Sequence, residues 1–307
     1  MGQFGHFKTL DRRTPIAFYH TGLQEEVDGQ RSFVTNCTIH SSYNGGITVG
    51  EAVDGVKVTG NVIYNCVGDG IFVHGENTVV ADNVIILFMY HLLYQNIYVS
   101  MQLGNADADD INIPAGINTI NTKTVIVRNN RVAGGDGPAF RGHGEPCTSD
   151  ELCQNTNFTD PSGAINNVGH STLRGYSIWR VGGRPCNKYS NFYFWRILDF
   201  GIYTQAGGSE IYVTSCIFAD TIVGVANVAV GNGAVLRHEH GDMQIAIDTN
   251  MFIGRSLHHT CADYAIRDNA LIVTSGMTNA NRAQLSSGKG HTGVYMPYFA
   301  EAYNKFR

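Results

Sequence analysis

The sequence is 307 residues long, and its hydrophobic fraction of 43% is sufficient for a buried core, so a folded domain is expected. Only 15% of the residues are charged, the net charge is −5, and no Lys or Arg run exceeds two residues, so we expect no nucleic acid partner. No apolar run reaches the ~18 residues of a membrane span, so we expect no membrane insertion by this segment.

An asparagine recurs at the start of short apolar strand patterns along the chain. Asn36 opens NCTIHSSYNGGITV, Asn61 follows 25 residues later, and Asn83 follows after another 22. The series continues with Asn130, Asn167, Phe192, Cys216 and Asn250. In most turns a glycine follows the first position by 7 to 10 residues, as at Gly46, Gly70, Gly175 and Gly201.

A period of this length is enough for three short strands and three bends. Each turn would then stack on the next one at the ~4.8 Å spacing of paired strands. We expect each asparagine to adopt the left-handed conformation and to hydrogen-bond along a column of stacked amides. The glycines are expected to supply positive φ at a second bend. Tight hairpin signals every 8–12 residues, which an antiparallel β-sandwich needs, are few.

The fold class predicted from this repeat is all-β, a right-handed parallel β-helix, a single-stranded solenoid with inserted loops. We predict one domain over residues 1–307. Two intervals between repeat asparagines exceed one turn, and they place the inserted loops near residues 91–116 and 141–163.

The cysteines divide into two groups by their surroundings. Cys37, Cys66 and Cys216 lie in apolar strand patterns, where a free cysteine is usually a small buried hydrophobic residue. Loop-like sequence surrounds the four disulfide candidates, Cys147, Cys153, Cys186 and Cys261. Cys147 and Cys153 flank a short polar hairpin, so their pairing is the favoured one in an oxidising compartment.

Two segments have the glycosylation sequon Asn-x-Ser/Thr, which makes Asn36 and Asn157 candidate glycosylation sites. The opening MGQFGHFKTLDRR lacks the apolar core of a signal peptide. The chain is therefore expected to be either cytosolic or an internal piece of a larger secreted chain.

Several segments resemble a known family when they are taken in order. TPIAFYHTG and SFVTNCTIHSSYNGGITVGEAVDGVKVTGNVIYNCVGDGIFVHGE are similar to the β-helix region shared by the fibrocystin family and the cell-surface hyaluronidases. NNRVAGGDGPAFRGHGEPC, NFYFWRILDFGIYTQ and GHTGVYMPYF resemble fibrocystin and fibrocystin-L more narrowly. This resemblance implies a segment of a very large ectodomain on cell surfaces and cilia. The hyaluronidase branch has a His-x-His pair where this chain has Ile16-Ala17-Phe18-Tyr19-His20, so the resemblance implies no inherited catalysis.

The best metal-like cluster is the His-x-His pattern of His238 and His240 with Asp242. In a strand, both histidines would point to the same side, and this spacing is common among metal ligands. Two histidines alone do not make a site, and an exposed polar loop between turns is the alternative interpretation.

Two other sets of residues are candidates for binding or cleaving polysaccharide. Asp109-Asp110 and the Gly-His-Gly around His143 are reminiscent of pectin hydrolases, without the complete catalytic set. The aromatic run Tyr189 to Trp195 would stack on sugar rings where its members face outward. About half of such a run must face the interior of a β-helix, so most of it is expected to be core.

These observations favour a non-catalytic module of a surface glycoprotein, acting as a rigid spacer and as an adhesion or receptor surface. The expected location is extracellular or at the cell surface, including cilia, and the expected partners are other extracellular proteins or glycans. No cofactor is expected. The alternative is a polysaccharide-cleaving enzyme related to the cell-surface hyaluronidases. A cytosolic solenoid scaffold is a third interpretation, favoured only if every cysteine is reduced.

Overall fold

The structure is a computed structural model that describes residues 14–23, 31–89, 114–119, 124–142, 144–146, 163–179, 186–205, 210–221, 223–227, 237–238, 241–242, 244–253, 292–295 and 303–306. The chain divides into two compact units, unit 1 (Met1–Gly142) and unit 2 (His143–Arg307). The regular structure of the described residues is all β-strand. Within that part of the chain, no helix is long and apolar enough to cross a membrane.

Unit 1 is built from short strands. In chain order they are β1 (Ile16–Phe18), β2 (Gly22–Leu23), β3 (Phe33–Thr35), β4 (Thr38–Ser42), β5 (Ile47–Val49), β6 (Val53–Asp54), β7 (Lys57–Thr59), β8 (Val62–Val67), β9 (Ile71–Val73), β10 (Val79–Ala81), β11 (Val84–Met89), β12 (Ile117–Asn118), β13 (Ile126–Arg128) and β14 (Arg131–Arg141).

The strand pairs described in unit 1 join each strand to its equivalent in the neighbouring turn, and all of them are parallel. One side of the helix is β3–β7–β10–β13, a second is β4–β8–β11–β14, and a third is β1–β5–β9–β12–β14. Val58 pairs with Val34 and with Val80, which sets the turn length near the predicted repeat. The prediction of a parallel β-helix is confirmed.

The interior of unit 1 is formed by stacked apolar columns, because alternate residues of each strand point inward. One column is Val34, Val58, Val80 and Val127, a second is Ile39, Ile63, Ile85 and Val132, and a third is Ile47, Ile71, Ile117 and Phe140. All twelve side chains are buried. A single turn has no partner for these side chains, so the stack of turns creates the core.

Unit 2 has the same kind of strands. They are β15 (Glu145–Pro146), β16 (Gly163–Ile165), β17 (Val168–Trp179), β18 (Cys186–Ser190), β19 (Tyr193–Trp195), β20 (Phe200–Gln205), β21 (Glu210–Thr214), β22 (Ile217–Ala219), β23 (Val223–Asn227), β24 (Arg237–His238), β25 (Gly241–Asp242), β26 (Gln244–Asp248), β27 (Met251–Ile253), β28 (Thr292–Tyr295) and β29 (Tyr303–Phe306).

Parallel stacking also organises unit 2. Its three sides are β16–β18–β21–β26–β29, β17–β19–β22–β27 and β17–β20–β23–β28. The pairs β15–β18 and β24–β25 are antiparallel. Phe194, Phe218 and Phe252 stack in the interior with ring centroids 6.1 Å and 4.9 Å apart, so aromatic rings replace the aliphatic columns of unit 1.

A ladder of asparagine amides runs along the inside of unit 1. Each Oδ1 atom accepts from the backbone N–H of the ladder position one turn earlier, at 2.9–3.0 Å. The pairs are Cys37 N–H to Asn61 Oδ1, Asn61 N–H to Asn83 Oδ1, and Asn83 N–H to Asn130 Oδ1. The Nδ2 atoms of the three asparagines donate to the backbone carbonyls of Val34, Val58 and Val80, each at 2.9 Å. The amides therefore satisfy backbone groups that the bend would otherwise leave buried without partners.

Asn250 makes the same bonds in unit 2. Its Oδ1 accepts from the backbone N–H of Cys216 at 2.8 Å, and its Nδ2 donates to the carbonyl of Val213 at 2.8 Å. Asn167 is also fully buried, and its Nδ2 donates to the carbonyl of Ile165 at 2.9 Å.

The expectation that Asn36 stacks on Asn61 is wrong by one residue. Thr38 pairs with Val62, so Cys37 occupies the ladder position of the first turn and Asn36 precedes it. The left-handed conformation belongs to this preceding position. There φ is between 55° and 67° in the residues Asn36, Gly60, Asp82, Asn129, Asn166, Asn191, Ser215 and Thr249. Two adjacent positions thus have the two roles that the repeat pattern predicts for one asparagine.

The bend glycines also have a different role from the predicted one. Gly46, Gly70, Gly175 and Gly201 do not have φ in the left-handed region. A Cβ atom on Gly70 would lie 2.5 Å from the Gly116 carbonyl oxygen and 2.6 Å from Ile85 Cγ2. Glycine is required here because the backbone of the next turn and an interior side chain leave no room for a Cβ atom.

Most residues of the two predicted inserted loops, near 91–116 and 141–163, lie outside the described residues, so these loops stay predictions. The single domain predicted over residues 1–307 also stays a prediction, beside the division into two units.

Candidate functional site

The side of unit 2 formed by β17, β19, β22 and β27 presents an apolar and aromatic surface to solvent. We call it the aromatic face and define it by His170, Tyr193, Trp195, Met251 and Ile253. The exposed fractions are 39% for Tyr193, 44% for Met251 and 49% for Ile253. Exposed apolar side chains thus recur along one side of the unit, on the turns before and after the turn of β22, and apolar patches are typical of interaction surfaces.

Strand alternation explains why these residues face outward. Phe194 lies between Tyr193 and Trp195 and is fully buried, so its two neighbours must point to the opposite side of the strand. The parallel register places Val168, Ile217 and Met251 in line with Tyr193, and it places His170, Ala219 and Ile253 in line with Trp195. The face is therefore a regular product of the repeat.

Three rings of the aromatic face form a stack. The His170 and Trp195 ring centroids are 4.1 Å apart with 18° between the ring planes, and those of Tyr193 and Trp195 are 4.7 Å apart with 32°. Partial burial, followed by the positive charge of Arg196, lowers the pKa of His170. The imidazole is thus biased toward its neutral form, in which it packs as an aromatic ring.

The aromatic run that contains these residues divides between interior and surface. Tyr189, Phe192 and Phe194 are buried, whereas Tyr193 is exposed and Trp195 is half-buried. The predicted sugar-stacking platform thus reduces to Tyr193 and Trp195, joined by His170. Sequence reasoning missed His170, and only the pairing of His170 with Trp195 across turns identifies it.

A partly buried ion pair lies elsewhere in unit 2. Arg174 Nε donates to Asp199 Oδ2 at 3.0 Å, and the guanidinium carbon lies 4.6 Å from the Tyr203 ring centroid and 5.6 Å from that of Phe200. Burial raises the pKa of Asp199 in spite of the opposing effect of Arg174. Because the carboxylate and both rings constrain the guanidinium, the arrangement serves to tie adjacent turns together.

Unit 1 has a group of polar side chains on neighbouring turns, which we call the polar edge and define by Asp54, Glu76, Asn77 and Thr124. Asp54 and Glu76 form a parallel bridge between neighbouring turns. Asn77 Nδ2 donates to Asp54 Oδ1 at 2.8 Å, and the Thr124 hydroxyl donates to Glu76 Oε2. Among the described residues, the Asp54 and Glu76 carboxylates on neighbouring turns are the arrangement that most resembles an acid–base pair.

The residues predicted as a metal cluster are only partly described. His238 ends β24 and Asp242 ends β25 in the antiparallel hairpin, and their side chains are not described. His240 lies outside the described residues, as do Asp109, Asp110 and His143.

Three of the described cysteines are free thiols. Cys37, Cys66 and Cys216 form no disulfide, and burial raises the pKa of Cys66 and of Cys216 to about 12, which makes both thiols unreactive at neutral pH. Cys186 begins β18, and its side chain is not described. Cys147, Cys153, Cys261 and the sequon residue Asn157 lie outside the described residues, so the disulfide stays a prediction.

Comparison with known proteins agrees with this architecture. The chain matches the model of the CEMIP beta-helix family over residues 1–176. It is 28% identical to fibrocystin-L of Mus musculus over 304 residues, an alignment that covers 99% of this chain and 7% of the relative. Fibrocystin-L of Homo sapiens is 27% identical over the same shares of both chains. Fibrocystin of Canis lupus familiaris is 24% identical over 89% of this chain and 6% of the relative.

Proposed function

Since this chain belongs to the CEMIP beta-helix family, we propose that it is a non-catalytic module of a large cell-surface or ciliary glycoprotein, acting as a rigid spacer and an adhesion or receptor surface. The relatives support the part of this proposal that concerns a large protein, because this chain spans only 6–7% of their length. The parallel pairing of the turns in unit 1 supports the spacer role, since each turn is held by its neighbours through both core and ladder.

The aromatic face is the observation that carries the adhesion role. A patch built from Tyr193, Trp195, Met251 and Ile253 is costly to leave in water, and its aromatic and methionine content is typical of the buried centre of protein interfaces. The same rings also suit stacking on the apolar face of a sugar, so the partner is an extracellular protein or a glycan.

Binding of the purified chain to intact cells tests this proposal. Labelled wild-type protein is compared with Tyr193→Ser and with Met251→Ser, and the control is Tyr64→Ser, an exposed aromatic of unit 1. We expect both unit 2 variants to lower cell binding at least tenfold and the control to retain it. Pretreating the cells with protease or with glycosidases identifies the class of partner. Equal binding by all variants, or no binding by wild type, contradicts the proposed surface.

The location is tested separately on the native protein. Antibodies against this chain should label unpermeabilised cells or ciliary membranes. Labelling only after permeabilisation, in the cytosol, would contradict the cell-surface assignment and favour a cytosolic scaffold.

The polar edge of unit 1 supports a second candidate, a polysaccharide-cleaving enzyme. The Asp54–Glu76 bridge places two carboxylates on neighbouring turns, and glycosidases act with a pair of carboxyl groups. We expect no reducing ends or unsaturated products from hyaluronan, pectin or alginate, with or without calcium. Product formation abolished by Glu76→Gln, or by Asp110→Asn or His143→Ala, would establish the enzyme instead.

A further inference from the structure

The one-residue offset between Asn36 and the asparagine ladder leaves the Asn36 amide outside the interior of the helix. The side chain of Asn36 is exposed, whereas Asn61, Asn83 and Asn130 have no exposed surface. The backbone N–H of Asn36 donates to the Thr59 carbonyl at 3.1 Å, which fixes the bend. Among the residues that the structure describes, the Asn36 side-chain amide has no hydrogen-bond partner.

The neighbouring turn orients this amide. A Cβ atom on Gly60 would lie 2.5 Å from Asn36 Oδ1, so the oxygen of the amide faces the Cα atom of Gly60. Gly60 occupies the equivalent position of the next turn and lacks the side chain that would displace the Asn36 oxygen. Because oxygen and nitrogen are the two branches of one planar group, Nδ2 is on the branch away from this contact.

The rest of the sequon is also accessible. Thr38 begins β4 two residues after Asn36, and its side chain is exposed. The backbone N–H of Cys37, the middle residue, donates into the ladder, and the two flanking side chains remain on the surface. An exposed asparagine at a bend with an exposed hydroxyl at the second following residue is the arrangement that N-glycosylation requires.

We propose that Asn36 is an N-glycosylation site. The inference rests on the proposed function, since the modification requires entry into the secretory pathway. A polyprenyl-diphosphate-linked oligosaccharide is the donor. A bond forms between Asn36 Nδ2 and the anomeric carbon of the sugar, the bond from that carbon to the diphosphate oxygen breaks, and one amide proton leaves with the diphosphate. No oxidation or reduction takes place.

The ladder asparagines differ from Asn36 in the property that matters. Each Nδ2 of Asn61, Asn83 and Asn130 is buried and donates to a backbone carbonyl, so a glycan there would remove that bond and disrupt the core. A glycan on Asn36 replaces only contacts with water. The two kinds of asparagine in one repeat thus have separate roles, one structural and one open to modification.

The test expresses the chain behind a cleavable signal peptide in mammalian cells. The background is Asn157→Gln, so that Asn36 is in the one remaining sequon. Signal-cleaved protein from both cells and medium is treated with peptide N-glycosidase in ¹⁸O-water, and peptide mass spectrometry reads the conversion of Asn36 to labelled aspartate. We expect most molecules to carry the glycan before treatment and the label after it.

The structure supplies matched variants. Thr38→Val removes the hydroxyl but keeps a β-branched residue, and the paired residue in the next turn, Val62, is also a valine. Asn36→Gly introduces the residue that the next turn has at the equivalent position, Gly60. Both should lose the glycan completely and keep the unfolding midpoint of deglycosylated wild type. Thr38→Ser should retain the glycan.

The outcomes separate this inference from the proposed function. Unmodified Asn36 in signal-cleaved wild-type protein overturns the inference and leaves the cell-surface role untouched, as does a glycan that persists in Thr38→Val. Cytosolic location of the native protein contradicts the proposed function, even when the directed chain is modified at Asn36.

Discussion

Replacing Asn83 with leucine removes the middle member of the asparagine ladder and keeps the number and branching of the side-chain heavy atoms. Asn83 Oδ1 accepts from the backbone N–H of Asn61 at 2.9 Å and from Asn61 Nδ2 at 3.0 Å. Its Nδ2 donates to the Val58 carbonyl at 2.9 Å and to Asn130 Oδ1 at 3.0 Å. Leucine can make none of these four bonds.

The loss of stability depends on which hydrogen-bonding groups keep another partner in the variant. Asn61 Nδ2 still donates to Val34, and Asn130 Oδ1 still accepts from the backbone N–H of residue 83. The buried backbone N–H of Asn61 loses its acceptor, at a cost of ~1–3 kcal/mol, and each other lost bond costs ~0.5–1.5 kcal/mol. Burial of leucine offsets part of this loss. We therefore expect Asn83→Leu to lower the free energy of unfolding by about 2–4 kcal/mol.

Urea unfolding followed by circular dichroism measures this loss, and hydrogen exchange locates it. The Asn61 amide should lose protection in Asn83→Leu because its acceptor is gone. The control is Asn36→Gly, which removes an asparagine one position outside the ladder and should change the free energy of unfolding by less than about 1 kcal/mol. Wild-type stability together with a still-protected Asn61 amide in Asn83→Leu would refute the ladder argument.

Three further predictions test other contacts. Gly70→Ala should lower the free energy of unfolding by about 1–3 kcal/mol, because its Cβ would collide with the Gly116 carbonyl; an unchanged urea midpoint contradicts this. Asp199→Ala should lower it by about 2–4 kcal/mol, because it leaves the buried Arg174 guanidinium without its carboxylate, and thermal unfolding would show no change if the pair were dispensable. The lowered pKa of His170 contributes stability that is present above pH ~6.5 and is lost as the pH falls through the folded-state pKa. His170→Gln should therefore reduce the change of the unfolding midpoint between pH 7 and pH 5. A pH profile identical to that of wild type would exclude this contribution.

The repeat was predictable because its period is visible in the residue types. Asparagine spacing and apolar alternation predict the stacked strands of unit 1, and the parallel register confirms them. The offset of Asn36 was not predictable from spacing, since an asparagine suits both the left-handed bend and the ladder. Only the register of Thr38 on Val62 separates the two positions.

The candidate surface was less accessible to sequence reasoning. Alternation indicates that Tyr193 and Phe194 face opposite sides, but it does not indicate which side is the interior. The partners in space of Trp195 are even less evident, because His170 precedes it by a whole turn and belongs to a different sequence pattern. Contacts across turns depend on the register between strands, which one residue of insertion or deletion alters.

The division of labour between adjacent positions explains how one repeat combines a constant interior with a variable surface. Where the ladder position is asparagine, as at Asn61 and Asn83, its amide satisfies a backbone N–H on one side and a carbonyl on the other inside the helix. The preceding position needs only tolerance of positive φ, and Asn36, Asp82 and Ser215 all meet that requirement with different side chains. Substitutions there alter the surface without removing a core hydrogen bond. A modification site such as Asn36 can therefore arise or disappear in one turn while the stack of turns remains intact.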